Sequence, residues 1–501
     1  MRPHGRFAFW SIWVIFAAGF LICRVWLFDS VFYNIDEAEY AVSAQALTQG
    51  LLPGADLVGS TKPPGIVFLY AGIFALFGDS LLPLQWTGFI LWLVLLLLAV
   101  RLSKHLVPAV PEWMSAACFF LLANSFGLPR DMHALNVELP AMVLALAALL
   151  LSVTSGKSRN LLVAGILLGL AIMCRQSMAL FIIAALLFLN PSTLKRVAIL
   201  FAGILLPWLA LLLFYGANNS LALALDSWIR YPILYSGDTG VEGFFEAFWL
   251  NSSELVRQAF MPILFSLLGF FVAARTRQTK LLALLFASVG AVTAGSRFFG
   301  HYYIQVMPAL AILGGIGLQK LLSSSVRVKR VAQALLAIGA LLTLLHFPLW
   351  RYWDEAAPPK GTSAESLDGH GLEIELARFA AQNSTPDQSI FVWGYCPQIY
   401  FHANRLPGVR DFLCHYVTGY SAGTTHPRAN ACADAEQMLI EDLKQSRPKL
   451  LFDLSFSDYY PYSFADFPLT KYPDLARYVQ ANYQPMAQVG SVPIYSLVSG
   501  D

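Results

Sequence analysis

The chain has 501 residues, of which 57% are hydrophobic and only 13% are charged, and its mean hydropathy is +0.58. A soluble protein of this size does not need so much apolar surface, so the composition excludes a soluble globular protein and predicts a polytopic α-helical membrane protein. The formal net charge of +2 excludes little, because the distribution of charge along the chain carries the information.

Long apolar runs predict about eleven membrane spans, and up to about thirteen. The first run follows Arg2 and Arg6 and is too long for a signal-peptide core. No small-residue cleavage site follows it, so we interpret it as an uncleaved span. The fifth and sixth runs are short for a ~30 Å hydrocarbon core, so this hairpin need not cross fully. The predicted spans are 7–28, 82–101, 110–126, 137–154, 161–174, 177–190, 197–215, 259–274, 281–295, 303–319 and 331–350.

Basic residues favour one side of these spans. With the N-terminus inside, the inner loops hold most lysines and arginines and the outer loops hold most acids. The bias repeats at each inner turn, which predicts a cytoplasmic N-terminus and an extracytoplasmic C-terminus. The outer loops hold only these basic residues: Lys62, Arg130, Arg175, Arg230, Arg257 and Arg297.

The apolar segment Ile66–Phe77 is too short to be counted as a span, and counting it would invert every later loop. Because it follows Pro-Pro-Gly, we interpret it as a re-entrant or interfacial helix. The outer face then has two large loops, 29–81 and 216–258, attached to a transmembrane domain of residues 1–350.

Residues 351–501 are predicted to form a separate extracytoplasmic α/β domain. Hydropathy falls sharply at Arg351, and the segment 356–361 is typical of a linker. Strand-like and helix-like segments alternate after it. The predicted strands are Gln388–Trp393, Lys449–Leu454 and Ser491–Val498, and the predicted helices are Gly371–Gln382, Ala433–Gln445 and Asp474–Ala481.

The six cysteines fit no metal-binding spacing. Those in or beside apolar runs are interpreted as inert packing residues. A single disulfide among Cys396, Cys414 and Cys432 stays open. The chain also lacks a Gly-rich nucleotide loop, an HExxH motif and a paired CxxC, so nothing predicts nucleotide-driven or zinc chemistry, or a nucleic-acid partner.

An acidic cluster directly follows the first span. Asp36 and Glu37 lie where a carboxylate partly withdrawn from water can abstract a proton from an acceptor hydroxyl. The alternative is that they cap a helix over Ala38–Thr48, since acidic residues favour helix starts. Both roles can hold together, with Asp36 catalytic and Glu37 or Glu39 structural.

Lys62 is the only cation of the first outer loop, and Pro63-Pro64-Gly65 after it form a stiff turn that fixes its direction. An ammonium group at the membrane interface suits a lipid phosphate. A lysine that snorkels to the interface for solubility alone fits the same pattern.

Arg297 and His301 open the tenth span from the outer side. They are four residues apart, so they share one face if the segment is helical, and both can donate to phosphate oxygens. An aromatic belt with a snorkelling arginine is the alternative. Glu138 and Arg175, the remaining charges near the outer surface, are equally compatible with substrate binding and with a plain salt bridge.

Together these motifs resemble the GT-C membrane glycosyltransferases of the dolichyl-phosphate-mannose–protein mannosyltransferase superfamily. The resemblance rests on Asp36-Glu37, on Lys62-Pro63-Pro64-Gly65 and on Arg297…His301-Tyr302-Tyr303…Pro308. It covers about residues 7–350, with a weaker echo in Phe391–Gly394 and Ile399-Tyr400. The ArnT-like bacterial branch of family 39 is the most similar one.

The resemblance implies transfer of a single hexosyl or pentosyl unit, with inversion, from a polyprenyl-phosphate donor of the undecaprenyl type. The acceptor would be a lipid or glycan such as lipid A or lipopolysaccharide, on the outer side of the bacterial inner membrane. By the same resemblance Asp36 and Glu37 are predicted to be catalytic. Those predicted to bind the donor phosphate are Lys62, Arg297 and His301, and those predicted to bind substrate are Glu138, Arg175 and Tyr302.

The scheme requires no cofactor, and a divalent metal at Asp36, Glu37 and His301 stays open. ArnT-like members often have Glu before Lys-Pro-Pro where this chain has Thr61, so the sugar and the acceptor stay open as well. The alternatives are a transporter or flippase of lipid-linked sugars, transfer to a protein acceptor, and a non-catalytic scaffold. Against transport, we find no internal repeat, and the charges lie at the outer surface rather than at mid-depth.

Overall fold

A computed structural model describes residues 3–28, 31–59, 62–154, 157–189, 193–233, 240–356, 369–421, 431–457 and 464–498. Within them the chain is mostly helical, with one small sheet near the C-terminus. The α-helices are Pro3–Arg24, Ile35–Thr48, Gly65–Phe77, Leu81–Leu106, Glu112–Ser125, Pro129–Met132, Glu138–Thr154, Ser158–Cys174, Phe181–Phe188, Leu194–Ala217, Leu221–Leu225, Gly240–Gln258, Phe260–Arg275, Thr279–Thr293, Met307–Leu322, Val326–Ala356, Gly369–Asn383, Gln398–Ala403, His415–Thr418, Ala435–Ser446 and Pro473–Asn482. The 3₁₀ turns are Val25–Leu27, Gln176–Leu180, Gly300–Gln305, Leu454–Phe456 and Leu469–Lys471, and Asp226–Arg230 is a π-helix.

The chain divides into two compact units. The helical unit comprises Met1–Tyr33, Leu81–Phe214 and Glu242–Ala357. The sheet unit comprises Asn34–Ser80, Tyr215–Val241 and Pro358–Asp501. The sheet unit thus includes much of both predicted outer loops as well as the C-terminal region. The predicted division into domains 1–350 and 351–501 stays a prediction, and the proposed linker 356–361 lies almost entirely outside the described residues.

Three described helices are long and apolar enough to cross a membrane, and a fourth span results if one pair bent by 101° is counted as a unit. The three helices are Leu81–Leu106, Leu194–Ala217 and Val326–Leu349, and the bent pair is Gly240–Gln258 with Phe260–Arg275. Shorter apolar helices coincide with other predicted spans, including Glu138–Thr154 and Ser158–Cys174. The chain is therefore a multi-pass membrane protein, and the count of about eleven spans stays a prediction.

A buried arginine ends the first helix of the helical unit. Arg24 is 1% exposed, and its guanidinium donates to Asn124 Oδ1 at 3.0 Å, to the Ala123 carbonyl at 2.7 Å and to the Met132 carbonyl. It also lies 4.6 Å from the ring centroid of Trp92. A buried charge of this kind is tolerated only when its donors are satisfied, so Arg24 ties the first helix to the end of the helix Glu112–Ser125 and to the short helix Pro129–Met132.

Two glycines allow the helices Phe260–Arg275 and Met307–Leu322 to approach closely. A Cβ on Gly269 would collide with the Leu313 carbonyl, and one on Gly317 would collide with the Phe265 carbonyl. Small residues at such crossings let helix backbones pack directly, which is a common way to associate helices in membranes.

The sheet unit contains four strands: β1 (Ile390–Trp393), β2 (Leu450–Asp453), β3 (Tyr483–Val489) and β4 (Val492–Leu497). Their order is β1-β2-β4-β3, with β1 parallel to β2 and the other pairs antiparallel. Strands β1 and β2 are buried throughout. The three predicted strands and three predicted helices are present, whereas β3 and the helix Gln398–Ala403 were not predicted.

All six cysteines are free thiols. Cys396 and Cys414 are buried in the sheet unit, while Cys432 is partly exposed. The disulfide that the sequence leaves open is therefore not formed.

Candidate active site

Asp36 and Glu37 lie in the first turn of the helix Ile35–Thr48, not before it. The N-cap is Asn34, whose side-chain oxygen accepts a hydrogen bond from the Asp36 backbone N–H at 2.9 Å. The helix therefore starts three residues before the expected Ala38, and its cap is Asn34 rather than Asp36 or Glu37, for which capping was the alternative interpretation. The Asp36 carboxylate is consequently not needed as a cap.

Asp36, Tyr40 and Lys62 form a cluster in the sheet unit. The Lys62 ammonium donates to the Tyr40 hydroxyl at 2.8 Å and lies 3.6 Å from Asp36 Oδ2. The Tyr40 hydroxyl is 3.4 Å from the same carboxylate oxygen. The side chains of Lys62 and Asp36 are 18% and 23% exposed, so both can still reach a ligand. An acid and a cation predicted from separate motifs therefore lie side by side.

The surroundings of the cluster are largely closed. Glu37 and Glu39 are 6% and 4% exposed, so they are less accessible than Asp36. The Tyr40 ring packs edge-on against Tyr70 of the helix Gly65–Phe77, with centroids 5.9 Å apart. That helix begins directly after the Pro-Pro-Gly turn, as the sequence predicts. Thr61, which precedes Lys62, lies outside the described residues.

A second cluster lies in the helical unit. Arg175 forms a salt bridge with Glu138 Oε1, and both side chains are almost fully buried. Its Nε donates to Ser177 Oγ at 3.1 Å, and its guanidinium carbon lies 3.9 Å from the ring centroid of Tyr302. The structure thus brings together the three residues predicted to bind substrate. It also supplies the salt-bridge partner that the alternative interpretation required.

His301 is held by Asp131, also in the helical unit. Its Nδ1 lies 3.2 Å from Asp131 Oδ1, and its backbone N–H donates to the same oxygen at 3.2 Å. A Cβ at Gly300 would collide with this carboxylate, so the approach requires glycine. The sequence placed Asp131 on the outer side but did not predict this contact, because a long-range pair leaves no local signal.

Arg297 is 3% exposed and lies in a non-helical turn. Ser296 and Phe298 on either side have positive φ values of 56° and 53°, and the following 3₁₀ turn begins only at Gly300. The two residues were expected to share one face only if the segment is helical, and this condition is not met, because Ser296 and Phe298 have non-helical backbone angles.

No group of three or more His, Cys, Asp or Glu side chains in the described part of the chain could hold a metal ion. Of the three residues considered for a metal, Asp36 and Glu37 belong to the sheet unit and His301 to the helical unit.

Solved structures of similar fold cover nearly the whole chain. ArnT from Cupriavidus metallidurans bound to undecaprenyl phosphate matches with a TM-score of 0.60 and 14% sequence identity, over 97% of this chain and 98% of that one. The apo state of the same protein matches with a TM-score of 0.55 and 14% identity, over 99% and 98%. The Archaeoglobus fulgidus oligosaccharyltransferase in complex with Zn and sulfate matches with a TM-score of 0.55 and 15% identity, over 97% and 73%.

The chain has the GT-C fold. The fold expected from the motif resemblance is thereby confirmed. Residues 61–216 also match the family model of dolichyl-phosphate-mannose-protein mannosyltransferase, and this range includes Lys62, Glu138 and Arg175. No curated protein matches the chain by sequence.

Within the GT-C fold the candidate residues fall into two groups. The sheet unit carries Asp36, Glu37 and Lys62, and the helical unit carries Glu138, Arg175, Arg297, His301 and Tyr302. Tyr40 was not predicted, although it contacts both Asp36 and Lys62, and its position one helical turn after Asp36 is the signal that could have identified it.

Proposed function

We propose that the protein is a glycosyltransferase that uses a polyprenyl-phosphate sugar of the undecaprenyl type as donor. It transfers one hexosyl or pentosyl unit, with inversion, to a lipid or glycan acceptor such as lipid A or lipopolysaccharide. The observation that carries the proposal is the Asp36–Tyr40–Lys62 cluster, in which an acid and a cation lie 3.6 Å apart and both remain partly accessible. ArnT solved with undecaprenyl phosphate bound supports the choice of donor.

The cluster contains the two kinds of group that this reaction needs. The acceptor oxygen attacks the anomeric carbon while its proton passes to the Asp36 carboxylate. The bond between the anomeric carbon and the phosphate oxygen breaks, and its electron pair leaves with the polyprenyl phosphate. Because inversion places the base and the leaving group on opposite faces of the anomeric carbon, the contact between Lys62 and Asp36 opens when the donor binds. Lys62 then stabilises the charge that develops on the leaving phosphate. A positioned base contributes about 10²–10⁴-fold to such a rate.

Glu37 is buried beside Asp36 on the same helix turn, and we propose that it supports the catalytic carboxylate rather than replaces it. Arg297 and His301 remain proposed phosphate ligands. The contact of His301 with Asp131 fixes the ring, as a hydrogen bond from the ring N–H to a carboxylate commonly does for a functional histidine.

A substrate-binding role for Glu138, Arg175 and Tyr302 is also a proposal. The ion pair between Glu138 and Arg175 supports a structural role at least as directly. One oxygen of the buried Glu138 carboxylate, Oε2, has no hydrogen-bond partner in the described residues, which leaves one acceptor position for a ligand.

The proposed location is the bacterial inner membrane, with about eleven spans, a cytoplasmic N-terminus and the C-terminal region outside the cytoplasm. The distribution of basic residues supports this orientation. Chemistry on the outer side would give the enzyme access to envelope glycolipids.

The test is a transfer assay with purified protein in lipid vesicles. Radiolabelled polyprenyl-phosphate hexoses and pentoses are supplied together with a crude envelope fraction as acceptor. Wild type is compared with Asp36→Asn, and the matched control is Asp79→Asn, which alters an exposed carboxylate of the same unit.

We expect label in an acceptor with wild type and Asp79→Asn, and none with Asp36→Asn. The donor that works identifies the sugar, and the labelled product identifies the acceptor as lipid, glycan or protein. Labelled lipid that moves between leaflets without transfer would favour a flippase instead. Full activity of Asp36→Asn would contradict the assignment of the base and direct attention to Glu37 or Glu138.

A further inference from the structure

A buried histidine of the sheet unit, His415, has an unexplained ring nitrogen. The residue is 4% exposed, and its Nε2 has no hydrogen-bond partner within the described residues. Buried polar atoms in folded proteins are almost always paired, so an orphaned nitrogen of this kind points to a partner that binds there.

The orientation of His415 is fixed by its neighbours. Its backbone N–H donates to Asp411 Oδ1 at 3.1 Å. Its ring stacks parallel to that of Tyr231, with an angle of 4° and centroids 6.2 Å apart, and contacts that of Tyr395 at 5.0 Å. A ring held between aromatic residues keeps its edge nitrogen in one direction, which is what a binding residue needs.

The segment that carries His415 packs on the loop that leads to Lys62. The Val58 backbone N–H donates to the Arg410 carbonyl at 2.6 Å. The next residue, Gly59, is pressed between Phe412 and Glu39, since a Cβ there would collide with both side chains. Glu39 lies on the same helix as Asp36. The sheet unit therefore packs Arg410 and Phe412, five and three residues before His415, on the loop that precedes Lys62 and on the helix that carries Asp36 and Tyr40.

The charge state of His415 selects its ligand. Burial lowers the pKa of His415 to about 3, with a smaller opposing effect from Asp36 and a further lowering by Lys62. The imidazole is consequently neutral near pH 7. A neutral ring nitrogen either donates or accepts one hydrogen bond and adds no positive charge, so it suits a hydroxyl group better than a phosphate.

We propose that His415 Nε2 binds a hydroxyl group of the substrate held at the Asp36–Tyr40–Lys62 cluster. The hydroxyl belongs either to the sugar of the donor or to the acceptor, and both have the same hydrogen-bonding chemistry. The inference rests on the proposed function and makes the C-terminal part of the sheet unit a determinant of specificity.

The test compares a substitution that removes the ring nitrogen of His415 with one that replaces it by another hydrogen-bonding group. His415→Phe keeps an aromatic ring between Tyr231 and Tyr395 and removes the nitrogen. His415→Gln places an amide near the position of Nε2. His402→Gln, on the helix Gln398–Ala403 of the same unit, is the control. Three quantities are measured on the full-length protein in lipid: the Kd for sugar-free undecaprenyl phosphate, the Kd for the sugar donor, and the KM for the acceptor.

We expect His415→Phe to bind sugar-free undecaprenyl phosphate as wild type does. Loss of one hydrogen bond should weaken sugar-donor binding about tenfold if the hydroxyl is on the sugar, or raise the acceptor KM about tenfold if it is on the acceptor. His415→Gln should recover most of the loss, and His402→Gln should match wild type.

The inference is overturned if His415→Phe and wild type have the same Kd for the sugar donor and the same KM for the acceptor. It is also overturned if His415→Phe weakens the binding of sugar-free undecaprenyl phosphate as much as that of the sugar donor. Should His415→Phe not fold, His415→Asn replaces it, because its shorter amide does not reach the Nε2 position, and wild-type values would again overturn the inference. If wild type transfers sugar and His415→Phe behaves in the same way, only the inference about His415 fails and the proposed function stands. If wild type binds none of the three ligands, both the inference and the proposed function are overturned.

Discussion

The ammonium nitrogen of Lys62 lies 2.8 Å from the hydroxyl oxygen of Tyr40. Tyr40 follows Asp36 by one helical turn, and the same nitrogen is 3.6 Å from the Asp36 carboxylate. One face of the helix Ile35–Thr48 therefore holds a lysine contributed by a separate loop. The lysine is placed before any ligand arrives, so less side-chain entropy is lost when an anion binds.

Lys62→Ala should weaken binding of undecaprenyl phosphate by roughly ten- to a hundredfold, because a charge-assisted hydrogen bond contributes about 1.5–3 kcal/mol. Tyr40→Phe keeps the charge and removes only the hydroxyl contact, so its effect should be below about threefold. Ligand titration in detergent measures both.

Lys104→Ala is the control for the loss of a lysine, since Lys104 pairs with Glu112 at 2.6 Å in the helical unit. The role of Lys62 in phosphate binding is contradicted if Lys62→Ala and Lys104→Ala bind undecaprenyl phosphate equally well.

The buried pair of Glu138 and Arg175 gives a prediction about stability. Arg175→Met leaves the Glu138 carboxylate buried without its cation, which should cost about 3–5 kcal/mol of unfolding free energy. The double variant Glu138→Gln with Arg175→Met should recover part of this loss, because no uncompensated charge remains. Thermal unfolding of the purified variants measures the effect, and a double variant less stable than both single variants would contradict it.

Gly269→Leu should strongly lower thermal stability, because the close approach to Leu313 leaves no room for a side chain. Gly216→Leu is the matched control, since nothing lies within 4 Å of a Cβ there. Both glycines lie in apolar helices, so the two substitutions add similar hydrophobic surface. Similar melting temperatures for the two variants would show that the helix crossing does not depend on Gly269.

The Asp411 carboxyl predicts a pH dependence of stability. The pKa of Asp411 is raised to about 7, mainly by burial. Hydrogen bonds from the backbone N–H groups of Tyr416 and His415 oppose the shift, and nearby Asp442 makes a smaller contribution in the raising direction. Between about pH 4 and pH 7 the folded protein binds more protons at Asp411 than the unfolded chain, so stability contributed by Asp411 falls as the pH rises through this window.

Asp411→Asn removes this titration. We expect the melting temperature at pH 8, relative to that at pH 5, to be higher for Asp411→Asn than for wild type. The comparison between variant and wild type isolates Asp411 from His415, whose lowered pKa acts in the opposite direction below about pH 6.5. An unchanged pH profile would place the folded pKa of Asp411 near that of the unfolded chain.

Hydropathy predicts the class of fold because most helices are apolar over most of their length. Strands β1, β2 and β4 were also found, since β1 is a fully apolar run, β2 is apolar up to Asp453, and β4 includes the buried residues Val492 and Ile494. Strand β3 was missed because it contains Pro485 and several exposed residues, which is compatible only with the edge position that it occupies.

The candidate site was predictable where its residues are close in sequence to a recognisable motif. Asp36 and Lys62 lie on one loop and were both identified. His415 lies more than three hundred residues later in the chain, and no sequence signal connects it with that loop. The spacing of Arg297 and His301 places them on one face only of a helix, and the positive φ values at Ser296 and Phe298, which the spacing does not reveal, make the segment non-helical there.

The composition of the sheet unit has a consequence for protein engineering. Its three stretches, Asn34–Ser80, Tyr215–Val241 and Pro358–Asp501, are each separated by more than a hundred residues yet belong to one compact body. A chimera that exchanges only the C-terminal region at residue 350 would leave Gly59 facing a foreign residue in place of Phe412. A chimera between relatives should therefore exchange all three stretches of the sheet unit together.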